Sequence, residues 1–440
     1  MIVIKFGGSS LCTADRITRC ARIVLEQVEK EPVVVVSALG KTTDRLVSAA
    51  KGALEGGVHM EEIEEFHLGI AEDLSLDRSI IENLLYRLQM LLHGISIIRE
   101  LTPRTMDSVM SFGERLSSLI FSQALSAEGA AAVQVNAWDL GLVTTPEHGG
   151  AVPLEGCGET IRKEIEKLKL VPVVTGFLGR DAEGTITTLG RSGSDFSASI
   201  IGAAVDADEV QIWSDVDGVM SCDPSICSGA RNLPVLSFAE AGELAYYGAK
   251  VLHPNTLVPA IEKNIPVRVM NTLNPENAGT KIVKEPVISE SIAKAVVYRE
   301  NVCLINLSWP RLASAVRLLS DAFNLLSRHS VGIHMATTSE ATVSMITDRA
   351  YSEKELEAPL RELSCLGHVE VEREKAITCV VGEELKGKAG VISGIFSAVA
   401  SHGIKARMAS QSGSEINVAF LVDNAEIEPS VKALHELLLG

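Results

Sequence analysis

Along the chain, short runs of β-branched residues alternate with longer stretches whose apolar positions recur every three or four residues. Residues 1–4 form an apolar run suited to a buried strand. Ile17, Ala21, Val24, Leu25 and Val28 then mark one face of a helix over residues 13–28. Val33 to Val36 are all valine, which suits a strand covered on both faces, as in a parallel sheet. Residues 61–101 carry an apolar stripe that includes Leu84, Leu88, Leu92 and Ile95, and are expected to be helical throughout, folded as a hairpin. Pro103 breaks this pattern, and Glu114 is expected in the first turn of the next helix, which carries Leu116, Leu119, Ile120 and Leu125. Strand-like runs return at 132–135, 171–175, 185–189, 210–214 and 266–270, with helical stretches at 159–168 and 195–205. Such alternation over roughly 270 residues predicts one three-layer α/β/α domain with a mostly parallel sheet. The turn Asp181-Ala182-Glu183-Gly184 predicts a hairpin that makes part of the sheet antiparallel. Residues 271–279, rich in Asn, Pro and Gly, read as the exit loop of that domain.

The last third repeats. Met335 pairs with Met408 and Ser339 with Ser412, each 73 residues apart. Beyond Gly413-Ser414 the offset becomes 75, pairing Glu340 with Glu415, Val343 with Val418 and Asp348 with Asp423. Each copy reads strand, helix, strand, tight turn, strand, helix, which is a ferredoxin-like order. Helices are expected at 311–328 and 352–363 in the first copy, and at 389–401 and 428–438 in the second. The predicted boundaries are 1–285 for the α/β domain, 295–373 for the first small unit and 374–440 for the second, with strands exchanged between the last two. Either a sensor attached to an enzyme or a pair of dimerisation modules fits this order.

A length of 440 residues is consistent with two or three domains. The formal charge of −17 argues against a nucleic-acid surface, which needs a basic face. It also means that an anionic substrate must be held by a few local cations against the overall field. No apolar run approaches the ~20 residues of a membrane span, and no secretory signal precedes the first strand, so a cytoplasmic protein without a membrane partner is expected. The eight cysteines are scattered, and the closest pair, Cys222 and Cys227, has no matching second pair. Reduced thiols and no protein-bound metal site are expected.

Several turns carry candidate chemistry. Lys5 ends the first strand and is followed by Gly7, Gly8, Ser9 and Ser10. This fits a phosphate cradle of backbone N–H groups, and equally an ordinary βα turn. Ser37 to Asp44 form a small, polar turn at the carboxyl end of the second strand, the edge where open α/β sheets bind ligands. Ser111-Phe112-Gly113-Glu114-Arg115 places an acid beside a glycine; that acid either meets a ligand or complements a helix dipole. Residues 187–195, TTLGRSGSD, offer free backbone donors, Arg191, Ser192, Ser194 and Asp195. A guanidinium there can bind a carboxylate or a phosphate bidentately.

These stretches, with WSDVDGV at 213–219 and YGAKVLHP at 247–254, together resemble the aspartate kinases over essentially the whole chain. That family carries two ACT modules behind an amino-acid-kinase domain. The chain has no room for the fused homoserine dehydrogenase of some members, so it resembles the monofunctional ones. The resemblance implies transfer of the γ-phosphoryl of ATP to the side-chain carboxylate of L-aspartate, with Mg2+, at the head of the route to diaminopimelate, lysine, threonine and methionine. It implies that Lys5 neutralises the transferring phosphoryl and that Asp195 organises the lysine. It assigns Gly7, Gly8, Ser9, Ser214, Asp215, Met220 and Lys250 to the nucleotide. Arg191 would grip a carboxylate of aspartate and Glu114 its ammonium, with Ser37, Thr43 and Ser194 lining the pocket. Ile333, His334, Ser339 and Glu340 match the effector strand and turn of the first ACT unit. A feedback amino acid, lysine or threonine, is implied, as is a homodimer or larger assembly through the ACT units. Three positions depart from the family pattern: Met220 replaces a frequent tyrosine, Ser225 an arginine and His334 an aspartate. The histidine is expected to add pH dependence to regulation. A kinase acting on another small carboxylate such as glutamate, and a catalytically silent amino-acid sensor, are the competing readings.

Overall fold

The computed structural model describes residues 1–249, 254–287, 289, 291–309 and 315–439, so Lys250 and His253 lie outside it. The chain divides into two compact units. One is built from Met1–Val219, Asn232–Ala241 and Val251–Glu285, the other from Met220–Arg231, Gly242–Lys250 and Pro286–Gly440. Two short stretches inside the amino-terminal two thirds therefore pack with the carboxy-terminal third, which no single cut of the sequence would reveal.

The first unit begins β1 (Ile2–Phe6), α1 (Ala14–Leu25), β2 (Pro32–Val36), α2 (Thr42–Leu54), α3 (Glu61–Asp73), α4 (Ser79–Ile98) and α5 (Pro103–Ala127). It continues with β3 (Ala132–Val135), α6 (Cys157–Glu166), β4 (Val171–Thr175), β5 (Leu178–Arg180), β6 (Ile186–Thr188), α7 (Gly193–Ala204) and β7 (Val210–Ser214). β8 (Val235–Ser237), α8 (Phe238–Tyr247), α9 (Val258–Glu262), β9 (Val267–Asn271) and β10 (Thr280–Val283) follow, and α8 runs on into the second unit. The sheet order is β3-β4-β2-β1-β7-β9-β10-β8, parallel throughout except for the antiparallel β9–β10 pair.

The pleat of β1 decides what meets what. Successive side chains of a strand point to opposite faces. Ile2, Ile4 and Phe6 enter one apolar cluster with α1, α2 and α5. Val3 faces the opposite layer, where a side chain on Gly202 of α7 would lie 3.8 Å from it. Lys5 shares the face of Val3 and is thereby aimed at α7.

Three expectations change. The preceding pattern ends before Pro103 as expected, α4 stopping at Ile98, but the next helix starts at Pro103 itself, because proline is tolerated in a first helical turn. Thr102 caps that turn, accepting from the Thr105 N–H at 3.1 Å. Glu114 is thus mid-helix, not in a first turn. Residues 61–101 form two helices that part after Asp73, as the expected hairpin requires. The Asp181–Gly184 hairpin forms its own two-stranded ribbon, β5–β6, outside the main sheet. Residues 271–279 do not leave the domain, since β10 returns to pair with β9 and β8.

The second unit holds β11 (Ala295–Ser308), α10 (Ala315–Arg328), β12 (Ile333–Thr338), β13 (Thr342–Thr347) and α11 (Glu353–Leu363). The same order recurs as β14 (His368–Val381), α12 (Val391–Ser401), β15 (Arg407–Ser410), β16 (Asn417–Asp423) and α13 (Ile427–Leu439). One sheet, β12-β13-β11-β14-β16-β15, serves both copies. β11 and β14 pair antiparallel from Ala295 opposite Val381 to Ser308 opposite His368. β13 lies against residues 304–308 and β16 against residues 375–381, so each long strand belongs to both modules.

Gly113 sets how near α5 comes to the loop after β2. A Cβ on it would lie 2.8 Å from the Cβ of Ala38. In an open helix Gly→Ala stabilises by about 1 kcal/mol, but overpacking of this kind costs about 1–3 kcal/mol. Gly113→Ala is therefore expected to lower the urea midpoint with an unchanged m-value; a raised midpoint would mean that the close approach does not exist.

Candidate active site

β1 and β2 end side by side near the middle of the sheet, with β7 on the other flank of β1. Lys5 lies between Val35 and Ile212, and its Nζ stands 2.6 Å from Asp195 Oδ1, both side chains nearly buried. The contact is a close ion pair whose angle falls short of a hydrogen bond. Asp195 is in the first turn of α7, where the dipole favours a negative charge. A buried pair of this kind holds a cation ready without leaving it unpaired.

The glycine turn wraps around that cation. A Cβ on Gly7 would come 3.6 Å from Lys5 Nζ, and the Gly7 N–H donates to the Trp213 carbonyl at 3.1 Å. Gly8 leaves still less room, because a Cβ there would meet the carbonyl oxygens of Ala38 at 2.7 Å and Gly40 at 2.9 Å. The Gly40 N–H donates to the Gly8 carbonyl at 3.0 Å, so the turn after β1 and the loop after β2 are clipped together. Gly8–Leu11, which includes the exposed Ser9, forms a short 3-10 turn. Ser214 ends β7 beside this turn, and Asp215 follows, exposed.

Glu114 reaches the same loop from the opposite face of the sheet. Its Oε1 accepts from the Ala38 N–H at 3.1 Å, and its buried Oε2 has no partner among the described residues. Burial pushes its carboxyl up from the usual range to about 8, against the lowering effect of the Ala38 N–H. An acid held this way is a socket for a cation the protein does not supply. Ser37, whose N–H donates to the Phe6 carbonyl at 3.1 Å, and Thr43 in the first turn of α2 are half-buried on the same edge. Ser194 is buried beside Asp195.

Arg191 is placed differently. It is exposed in the turn between Gly190 (φ +76°) and Ser192 (φ +53°), and it makes no hydrogen bond or ion pair among the described residues. It borders a cleft of about 1260 Å³ between α6, α7 and α9, which neither Lys5 nor Glu114 lines. The residue that holds the end of β6 before this turn carries no sequence motif. Buried Asp107 accepts from Thr188 Oγ1 at 2.7 Å, the Thr188 N–H at 3.3 Å, the Gly149 N–H at 3.2 Å and His148 Nδ1 at 2.7 Å. The one available signal was its position two helical turns before Glu114, on the same face of α5.

Met220 and the loop after it belong to the second unit, and Lys250 lies outside the described residues. Ser225 closes its own loop: its N–H and Oγ donate to Asp223 Oδ1 at 2.9 and 2.6 Å. In the first ACT-like module, exposed Ser339 and Glu340 form the β12–β13 turn, where the Ser339 N–H donates to the Thr342 carbonyl at 2.8 Å. Ile333 and His334 sit at the other end of β12. His334 is buried, stacked on Tyr246 at 3.9 Å and edge-on to Tyr247 at 4.9 Å. Burial first, then Arg299, pushes its pKa down to about 4. The expected regulatory titration of this histidine near neutral pH is therefore absent.

Residues 1–271 match the model of the amino acid kinase family, and residues 378–438 match an ACT domain model. The chain is 37% identical over 452 residues to aspartokinase 1, chloroplastic, of Arabidopsis thaliana, covering 99% of this chain and 79% of that one. It is 32% identical to lysine-sensitive aspartokinase 3 of Escherichia coli K12 over 463 residues, 100% of this chain and 99% of the relative. Among solved structures, E. coli aspartokinase III with aspartate and ADP, in its R-state, superposes over the full length of both chains with a TM-score of 0.84 at 30% identity. The same enzyme with lysine and aspartate, in its T-state, gives 0.83 at 30% identity. The chain belongs to the amino acid kinase family, among its aspartokinases.

Proposed function

We propose that the site transfers the γ-phosphoryl of ATP to the β-carboxylate of L-aspartate, giving 4-phospho-L-aspartate and ADP. The observation that carries this reading is the unpartnered, buried Glu114 oxygen on the same sheet edge as the Lys5–Asp195 pair. One half of the site holds a paired ammonium beside a glycine turn kept clear of side chains, and the other holds an acid oxygen without a cation among the described residues. An amino acid with a second carboxylate, presented to a nucleotide, suits both. The E. coli relative solved with aspartate and ADP supports the same pair of ligands.

The acceptor carboxylate is already ionised at neutral pH, so no base is required. Catalysis then rests on alignment and on neutralising charge as the phosphoryl moves. Lys5 meets the transferring phosphoryl, and Asp195 holds it in position. Gly7, Gly8 and Ser9 present backbone to the phosphates, with Ser214 and Asp215 on the nucleotide side. Glu114 takes the ammonium of aspartate, Arg191 swings in from its exposed turn to a carboxylate, and Ser37, Thr43 and Ser194 line the pocket. Magnesium bound with the nucleotide would supply further neutralisation; with Asp195 engaged by Lys5, phosphate oxygens would hold it with few protein ligands. The product opens the route to lysine, threonine and methionine. Lysine or threonine, bound near Ile333, Ser339 and Glu340 across a dimer of ACT modules, regulates the activity in the cytoplasm.

Lys5→Ala is expected to cut kcat by about 10²–10³-fold, the usual loss for one transition-state donor, in protein that keeps a folded circular-dichroism spectrum but melts lower, because Asp195 loses its partner. Near-normal turnover would remove Lys5 from the mechanism. Glu114→Gln is expected to raise the aspartate KM far more than the ATP KM; an equal rise in both would contradict an ammonium contact. Glu114 also sets a pH dependence. Its carboxyl titrates near 8 rather than near 4.5, so it is largely protonated at neutrality and ionises as pH rises. The aspartate KM should therefore fall between about pH 6 and 9, a trend that Glu114→Gln abolishes. In the ligand-free protein the folded state holds this proton more tightly than the unfolded chain. Its stabilising contribution is thus present at low pH and lost as pH rises through about 8. Thermal melts should show wild type losing more stability than Glu114→Gln over that interval.

A further inference from the structure

Cys222 and Cys227 are too sparse a pair to mark a metal site in the sequence, but the fold brings a third ligand to them across more than two hundred residues. One ligand atom each of Cys222, Cys227 and His435 lies within 4.8 Å of the others, and all three residues are buried. They belong to one compact unit: the cysteines to the stretch Met220–Arg231 and the histidine to α13. We propose that these three side chains bind a thiophilic d10 cation, zinc in particular, and so staple the 221–231 loop to the carboxy-terminal helix.

The loop is shaped as a closed ring around the thiols. The Ser221 N–H donates to the Arg231 carbonyl at 2.9 Å, and the Arg231 N–H returns to Ser221 Oγ at 3.0 Å. Inside it, the Cys227 N–H donates to the Asp223 carbonyl at 3.0 Å and the Ala230 N–H to the Cys227 carbonyl at 3.0 Å. His435 Nε2 stands 3.0 Å from Ser221 Oγ, the kind of outer contact that orients ligating imidazoles. Two residues of the loop thus carry the sulfur ligands, and a third orients the nitrogen ligand.

Distance and charge both suit the ion. Tetrahedral zinc with bonds of about 2.3 Å to sulfur sets its sulfur atoms about 3.8 Å apart. The present limit of 4.8 Å requires the sulfur pair to close by about 1 Å or less and each sulfur–nitrogen pair by about 1.2 Å or less, within reach of side-chain rotation. Cys222 and Cys227 line an apolar cluster with Ile395, Val431 and Leu434. A lone thiolate there would be costly. Two thiolates and a neutral imidazole around a divalent ion carry no net charge, so the assembled site can remain in that core. Binding releases the two thiol protons to solvent, and a water completes the fourth position.

Cobalt(II) substitution tests the proposal on the intact, reduced chain. Anaerobic titration should produce thiolate-to-cobalt charge-transfer absorption with the strong visible bands of a tetrahedral ion, saturating at one ion per chain and abolished by one equivalent of zinc. The Cys222→Ser/Cys227→Ser double variant should lose both bands. Cys365→Ser, which alters an exposed thiol, should keep them. His435→Gln should weaken binding by at least ~10-fold, since loss of an outer partner alone costs about 10–100-fold. Absence of charge transfer in the wild-type protein would overturn the proposal whatever the variants do, and so would its persistence in a folded double variant.

Discussion

The pairing of Lys5 with Asp195 depends on more of the structure than any other contact. An ammonium and a carboxylate 2.6 Å apart, both nearly buried, must form together, because either alone in that position would be strongly destabilising. Three features bring them together. β1 is a central strand, its pleat turns Lys5 toward α7, and α7 starts where its dipole accepts an acid. Gly7 and Gly8 keep the space beside the ammonium clear of side chains. The cation is therefore fixed before any phosphate arrives, which is the preorganisation that phosphoryl transfer to an already ionised acceptor requires.

Glu114 is the counterpart from the other layer. α5 can bring its carboxylate to the Ala38 N–H only because Gly113 lets the helix lie against the loop after β2. The site is thus assembled across the sheet: Lys5 and Asp195 from the α7 face, Glu114 from the α5 face, meeting at the carboxyl edge. The raised pKa of Glu114 and its oxygen without a partner among the described residues have one cause, burial without a cation. Under the proposed function, the ammonium of aspartate would supply that cation. Arg191, by contrast, stands exposed in a turn with two left-handed residues, without a hydrogen bond or ion pair among the described residues.

Much of this was legible in the residues. The valine run of β2, the spacing in α1 and the offsets of 73 and 75 between the repeats located strands, helices and paired modules close to where they stand. The site glycines and charged residues were legible as motifs. What escaped was set by tertiary packing. α2 buries mostly alanines behind Leu46, so its periodicity is faint. Pro103 looked like a break because a first-turn proline and an interior one read alike without the cap at Thr102. Asp107 and the Ala38 N–H carry no motif, and His334 gave no hint that Tyr246 and Tyr247 would enclose it. Nor does sequence order show that residues 220–231 pack with the modules that follow the kinase fold.

Under the proposed function, this sheet edge joins a phosphoryl group to the side-chain carboxylate of aspartate. Trapping with hydroxylamine during turnover of the wild-type protein with Mg-ATP and aspartate tests this directly, since an acyl phosphate yields a hydroxamate. β-Aspartyl hydroxamate is expected in step with ADP, and almost none when glutamate replaces aspartate. ADP release without hydroxamate, or equal trapping from glutamate, would contradict it.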